Sequence, residues 1–335
     1  MTDKVRQAPE RNLALELVRV TEAAALAAAR WQGRGDPAGA GSAATEAMSV
    51  VLNTLQMDGR ITIGQGYRAP DAESHFLHNG QRIGTGEPPA MDVAVTPVEG
   101  TTLVAQGRSS AISVVAIAER GALLDPGPVR YMEKIVVGPG VEGVVDIDRP
   151  VTDNLKAIAK AKGESVRDIS VVILDRPRHA DLIAEVRRTG ARISLIQDGD
   201  VAGSMAALWP ESGVDVLIGI GGTAEGIITA AAVKCTGGEI QGRLWARNND
   251  DRQKATGAGY DVDAIFTTDD FVKNDNCFVA ATGITDGNLL KGVYYGTDAA
   301  HTESLVMRSK SGTVRRVQAK HRLRKLAEFS EVDYA

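Results

Sequence analysis

Between Thr152 and Cys235 short apolar strands alternate with helices, and this alternation constrains the fold more than any other feature of the chain. Helical spacing over Thr152–Lys162 gives way to the apolar run Ser170–Leu174. A helix over Ala180–Arg188 follows, then the strand Arg192–Ile196, a short helix over Ala202–Leu208, the strand Val214–Ile218 and a helix over about Glu225–Cys235. Strand–helix–strand order of this kind implies a parallel sheet with right-handed crossovers.

Open parallel sheets bind ligands beyond the carboxyl ends of their strands. The three strand tips here carry DRPRH (175–179), QDGD (197–200) and GIGGTAEG (219–226). The last lacks a Walker lysine and the GxGxxG spacing, so it is not read as a nucleotide loop. Arg176 and Arg178, either side of a proline, suit a fork for phosphate oxygens. Asp198 and Asp200 suit sugar hydroxyls. Each segment alone also reads as an ordinary capping loop or turn. Together on one sheet edge they point to a small phosphorylated polyol.

The first half reads differently. Helices are expected over Asn12–Trp31 and Ser42–Leu55, with Ser42 as a cap, followed by a strand over Arg60–Ile63 and a polar surface excursion over residues 64–89. A strand over Asp92–Val95 then runs into the turn PVEGTT (97–102). A second strand is expected over Ser110–Ala118, with Gly121 opening a hairpin toward Leu123 and Leu124. Asp36, after GRG, and Glu99, after a strand, are hard oxygen ligands of the kind that suit Mg²⁺ or Mn²⁺. Thr96 stands where such a site would carry a second acid. Residues 138–150 mark a domain junction, dividing the chain into an α+β metal-site half (1–150) and an α/β sugar-phosphate half (151–335). Further strands are expected over Phe278–Ala281 and Thr302–Val306.

Composition removes several classes. The 335 residues carry a net charge of -5 and only 4% aromatics, with one locally basic stretch at 315–324, read as a solvated face. Nucleic acid is therefore a poor partner. The two cysteines, Cys235 and Cys277, lack CxxC spacing, so neither zinc nor a disulfide framework is expected. No apolar run approaches the ~20 residues that span a membrane. The charged N-terminus has no apolar signal region. A soluble cytoplasmic protein is expected.

The segments RNLALELVRVTEAAALAAARWQGRGD, PVEGTT, RYMEKIVVGPG, DRPRH, QDGDVAGS, VDVLIGIGGTAEG, QGRLWAR and AATGITDGNLLKGV occur in the order and spacing of one family. Over nearly its full length the chain resembles the class II fructose-1,6-bisphosphatases. The resemblance implies the sugar-phosphatase fold, a layered α/β/α/β/α sandwich with the active site between its halves. It implies Mg²⁺ or Mn²⁺ at Asp36, Glu99 and Glu225, with Thr101 orienting the attacking water. It places Tyr131, Arg176, Arg178, Asp198 and Asp200 on the substrate, with Gly100 and Thr102 beside them, and it implies a homodimer or homotetramer.

The departures from the family pattern fall at the metal edge. Gln65 and Thr96 occupy positions where the family has a metal-binding glutamate and aspartate. Pro37 replaces a lysine, and Arg176 replaces a lysine with retention of charge. The expected activity is metal-assisted hydrolysis of a sugar (bis)phosphate. Two alternatives follow from the retained substrate edge: a phosphosugar isomerase, epimerase or lyase using His75 and His78, or a non-catalytic sugar-phosphate-binding protein.

Overall fold

A computed structural model describes residues 12–65, 76–125 and 127–328. The chain begins with α1 (Ala14–Ala29), α2 (Pro37–Leu52), β1 (Asp58–Ile63), β2 (Arg82–Ile83), β3 (Ala90–Glu99), α3 (Thr101–Ala105) and β4 (Ile112–Glu119). Its middle supplies β5 (Tyr131–Val137), α4 (Val151–Lys162), β6 (Ser170–Leu174), α5 (Ala180–Thr189), β7 (Arg192–Ile196), α6 (Asp200–Ala207), β8 (Val216–Gly222) and α7 (Thr223–Thr236). The segment from β9 (Glu239–Leu244) through α8 (Asn249–Gly257), β10 (Ile265–Thr267) and α9 (Thr268–Phe271) follows. The last stretch forms β11 (Cys277–Gly283), β12 (Tyr294–Tyr295), β13 (Ala300–Arg308), β14 (Thr313–His321) and α10 (Leu323–Ala327).

Three apolar cores separate five layers. In the first, Leu17, Ala24 and Met48 of α1 and α2 pack on Val93, Val115 and Phe278 of the larger sheet. In the second, Met205 and Ile227 of α6 and α7 lie between Ala94, Val114 and Val279 of that sheet and Met132, Leu217 and Ile240 of the smaller one. In the third, Leu155, Ile158 and Val186 of α4 and α5 cover Ile135 and Val171 on the smaller sheet's far face. Helix α1 is buried on nearly every side, which its run of alanines permits, because small side chains let α2 and the sheet approach it from opposite sides.

The larger sheet has eight strands in the order β12-β13-β11-β4-β3-β1-β2, with β14 on β13; the smaller has six, in the order β10-β9-β5-β8-β6-β7. Only β7-β6-β8 of the smaller sheet is parallel, and β5, β9 and β10 join it antiparallel. The division expected at residue 150 is not the division between the sheets. Strand β5 belongs with the second, whereas β11 to β14 return to the first. Main-chain pairing decides sheet membership, and β11 finds its partner β4 some 165 residues earlier.

Strands β6 and β7 have the bounds expected from sequence. Helix α2 does not start at Ser42. Pro37 occupies its first turn, where a missing N–H costs nothing, and Asp36 caps it by accepting a hydrogen bond from the Gly39 amide at 2.9 Å. No hairpin opens at Gly121. The neighbours of β4 are β3 and β11, and Leu123 bridges Val272 instead. The basic stretch near the C-terminus is strand β14, which holds Arg315 and Arg316 exposed. Among the described residues no helix is long and apolar enough to cross a membrane.

Phe271 ties α9 into the middle core, fully buried with its ring 5.7 Å from that of Phe266. Truncating a buried phenylalanine removes its transfer free energy and leaves a cavity. Phe271→Ala is expected to cost about 3–5 kcal/mol in urea unfolding, and a loss below about 1 kcal/mol would contradict this packing.

Candidate active site

The site begins with a fault in a strand. Strand β3 runs past Val95 to Glu99, and Pro97 within it cannot donate to the ladder. Thr96 pairs with Val114 but Glu99 with Ile112, so β3 carries one extra residue, a bulge. Before the bulge alternate residues take opposite faces, Val93 and Val95 toward α1 and α2, Ala94 toward the middle layer. The extra residue resets the alternation: Val98 returns to the outer core, and Thr96 and Glu99, three apart, both reach one cavity. Gly100, left-handed at φ 90°, ends the strand, and Thr101 opens α3. Helix α2 lies alongside, with Gly41 facing the Thr101 methyl group.

This cavity, about 830 Å³, lies where β1 and β3 end against α2, α6 and α7. Gln65, Thr96, Glu99, Thr101, Asp198 and Glu225 line it. Gln65 is half-buried, its amide bonded to the Leu77 carbonyl at 2.8 Å. Asp36 is exposed outside the lining, and its carboxylate caps α2. The loop before it is fastened to α3 by Gly33 and Gly35, whose amides donate to Val104 and Ala105 at 2.9 Å each. Gly100 shares the lining, whereas Thr102 is exposed outside it.

The glycine-rich end of β8, where it runs directly into α7, makes room for polar side chains. A Cβ on Gly222 would lie 1.7 Å from Glu225 Oε2, and one on Gly221 would lie 1.9 Å from Asp200 Oδ2 and 2.9 Å from Lys134 Nζ. Gly219, at φ +138°, abuts the ring of His179. That ring is a strut: Nδ1 bonds the Leu174 carbonyl at 2.7 Å, and Nε2 accepts from the Ile220 amide at 2.8 Å. Burial, against the pull of that carbonyl and aided by Arg178 and Arg176, lowers the His179 pKa and favours the neutral ring.

Asp200, expected to contact substrate, lies away from the cavity. It is buried and paired with Lys134 of β5, itself only 1% exposed. The sequence reading passed over Lys134. Its only signal was a lysine embedded in the run MEKIVV, which leads into a buried strand.

Glu99 carries most of the electrostatic strain. Burial, Asp200 and Glu225 raise its pKa well above the ordinary 4.5, with a smaller push from Asp198; the Val201 amide, donating to Oε1 at 2.9 Å, pulls the other way. Asp198 is raised too, first by burial, then offset by the Gly199 amide, pushed by Asp200 and relieved by Arg176.

Tyr131, Arg176 and Arg178, expected to meet substrate, lie outside the cavity lining; Arg178 donates through Nε and Nη2 to the Ile220 carbonyl at 3.2 and 2.7 Å and lies 5.5 Å from the Tyr131 ring centroid. Arg247 sits 5.7 Å from the same ring, and Trp245 meets it edge-on at 6.0 Å. Arg176 bonds the Asp175 carbonyl and acts electrostatically on Arg178 and Asp198. Sequence reasoning assigned no role to Arg247 or Trp245, which sit in the segment following β9.

The five residues expected to hold metal do not form one cluster. Gln65, Thr96, Glu99 and Glu225 share the cavity and Asp36 does not. Among the described residues no three Asp, Glu, His or Cys side chains stand together as a metal-holding group. The donor chemistry still fits a hard cation. Carboxylate, amide and hydroxyl oxygens face the cavity, and like-charge pressure on Glu99 is what such a cation relieves. His78 is half-buried, bonded to the Asn79 carbonyl at 2.9 Å and absent from the lining; His75 and Arg68 lie outside the described residues.

The fold and site define an α/β sandwich protein with an acid-lined cavity where its layers meet. The chain belongs to the family described as bacterial fructose-1,6-bisphosphatase, glpX-encoded, whose model matches residues 11–321. Similar proteins include fructose-1,6-bisphosphatase 1 class 2 of Escherichia coli and fructose-1,6-bisphosphatase class 2 of Shigella flexneri. Each is 41% identical over 326 residues, covering 93% of this chain and 96% of the relative.

Two outcomes test this geometry. Lys134→Met leaves the Asp200 carboxylate buried without its cation and is expected to cost about 3–5 kcal/mol in urea unfolding, with Lys134→Met/Asp200→Leu recovering much of the loss. An unaltered Lys134→Met midpoint would contradict the pair. For Glu99, a pKa raised by folding means a stabilising contribution that is complete below 4.5 and lost as pH rises through the folded value. In buffer with chelator, Glu99→Gln should therefore melt above the wild type at neutral pH, with the gap closing toward pH 4.5; equal melting at both would refute it.

Proposed function

We propose that the protein is a phosphoric monoester hydrolase acting on a phosphorylated sugar, with fructose 1,6-bisphosphate as the first substrate to test. The observation that carries this reading is the bulge in β3, which turns Glu99 and Thr101 toward the cavity that also holds Glu225 and Asp198. Family membership supports it, and the relatives of this length are named fructose-1,6-bisphosphatases.

Each group then has a chemical task. The Thr101 hydroxyl orients the attacking water. Arg176 and Arg178 take phosphate oxygens at the far end, against the Tyr131 wall, and Asp198 takes sugar hydroxyls. Hydrolysis breaks the phosphorus–oxygen bond to the sugar, joins the water oxygen to phosphorus and delivers the proton to the departing sugar oxygen. A bound Mg²⁺ or Mn²⁺ supplies neutralisation of phosphoryl charge. Glu99 and Glu225 would hold it, with Thr96 and Gln65 contributing neutral oxygens. No observation favours a histidine-based rearrangement, since His78 lies outside the cavity lining. From the family resemblance we also infer a cytoplasmic homodimer or homotetramer that serves gluconeogenesis, for which light scattering is the first check.

Phosphate release from fructose 1,6-bisphosphate with Mn²⁺ or Mg²⁺ should exceed the buffer rate, and none at high enzyme concentration would overturn the assignment. Thr101→Ala should lower kcat about 10²–10³-fold with little change in KM. Gln65→Glu/Thr96→Asp should raise the rate about ten-fold or more; a folded double variant with no gain would show that these two positions do not limit catalysis.

A further inference from the structure

A second pocket, about 300 Å³, opens at the far end of the larger sheet and shares no lining residue with the main cavity. Its floor follows from strand register. Tyr294 of β12 is paired with His301 of β13, and His301 with Lys320 of β14, so the three side chains stand in a row on one face. The Tyr294 and His301 rings are 6.1 Å apart, and all three residues are exposed. Lys291 closes the wall. It belongs to the segment AATGITDGNLLKGV, which the main cavity does not use.

The charge of this pocket is positive within an acidic chain. Its one carboxylate, Glu303, is buried and already satisfied. It accepts from the Lys291 amide at 2.7 Å, from Gln318 at 3.2 Å and from Arg316 at 3.1 Å. Burial pushes the Glu303 carboxyl up, but those donors and the charges of Arg316 and Lys291 bring it below its ordinary value. Arg316 balances Glu303. Neither the Lys291 nor the Lys320 ammonium forms an ion pair among the described residues. Two ammonium groups, a phenol and an imidazole thus converge on a space of small-ligand size.

We propose that this pocket is a second anion site, built for the dianionic phosphate of a small phosphate ester. Lys291 and Lys320 supply charge, Tyr294 and His301 supply hydroxyl and ring N–H donors, and the committed Glu303 fixes the floor.

Inorganic phosphate is the probe, titrated into the full chain by calorimetry and followed by NMR of the Tyr294 and His301 rings. Phosphate should perturb both rings in the wild type and equally in Arg176→Gln/Arg178→Gln, whose changes lie at the proposed phosphate grip beside Tyr131 and share no residue with this pocket. In Lys291→Gln/Lys320→Gln the perturbation should vanish and affinity for one phosphate should fall at least about ten-fold, while Lys291→Arg/Lys320→Arg should retain both. Silent rings in the wild type, or unchanged binding in the glutamine variant, would overturn the proposal. Loss of ring perturbation in the Arg176/Arg178 variant would overturn it as well, by assigning the phosphate to the edge beside Tyr131. Hydrolysis rates bear on the main cavity alone.

Discussion

The hydrogen bond from the Val201 amide to Glu99 fastens the two sheets together at the point where chemistry is possible. Glu99 ends β3 of the larger sheet, and Val201 lies in the first turn of α6, which packs on the smaller. A buried carboxylate is an expensive fastener, since it must be desolvated beside Asp200 and Glu225. A second tie lies close by, where Gly199 packs against the Ser110 carbonyl and Arg108 reaches Gln197 across the same gap. The acidic edge and the DGD turn are therefore one mechanical unit.

Polar groups elsewhere in this unit are packed as tightly as apolar ones. The C-terminal half of β8 has glycine at 219, 221 and 222, and each vacates volume for a functional group of another kind: an imidazole, an ion pair and a carboxylate. A glycine-rich turn after a strand invites a phosphate-loop reading, but here the empty Cβ positions face side chains. His179 and Arg178 brace the same strand end from outside through the Ile220 amide and carbonyl. Rigidity of this kind presents acids and arginines at fixed separations, which matters when binding geometry is a large part of the catalytic advantage.

The legible parts of the fold were those whose signal is local. Strand β6 is apolar after Ser170 and β7 is rich in β-branched and aliphatic residues, and each is closed by turn residues. Strands β5, β9 and β14 were not read as strands because charged residues interrupt them: Glu133 and Lys134, Glu239 and Arg243, Arg315 and Arg316. The expected hairpin at Gly121 failed for another reason. The turn was identified correctly, but β4 pairs with the distant β11 and no local rule names so remote a partner. At the site, Glu99, Thr101, Thr96, Gln65, Asp198 and Glu225 were placed together by sequence and do share a cavity. Asp36 stands outside the cavity lining, where a carboxylate one residue before a proline also makes an ideal helix cap. The pairing of Asp200 was not legible because its partner Lys134 lies 66 residues away, buried in a strand not read as one.

The identity of these partners sets how strongly the cavity attracts a cation. Two unit charges about 4 Å apart interact by about 4 kcal/mol at an effective dielectric near 20, so each carboxylate added to or removed from a coordination sphere matters. Thr96 and Gln65 bring oxygens without charge. Lys134 engages Asp200, leaving Glu99, Glu225, Asp198 and Glu46 as the acids lining the space, with Arg130 among them. Of these, Glu99 has its pKa raised well above the ordinary value, so part of any attraction goes into displacing its proton rather than water. The same crowding of acids therefore couples the cavity's cation affinity to pH, with the more alkaline side favouring the ionised, cation-ready form.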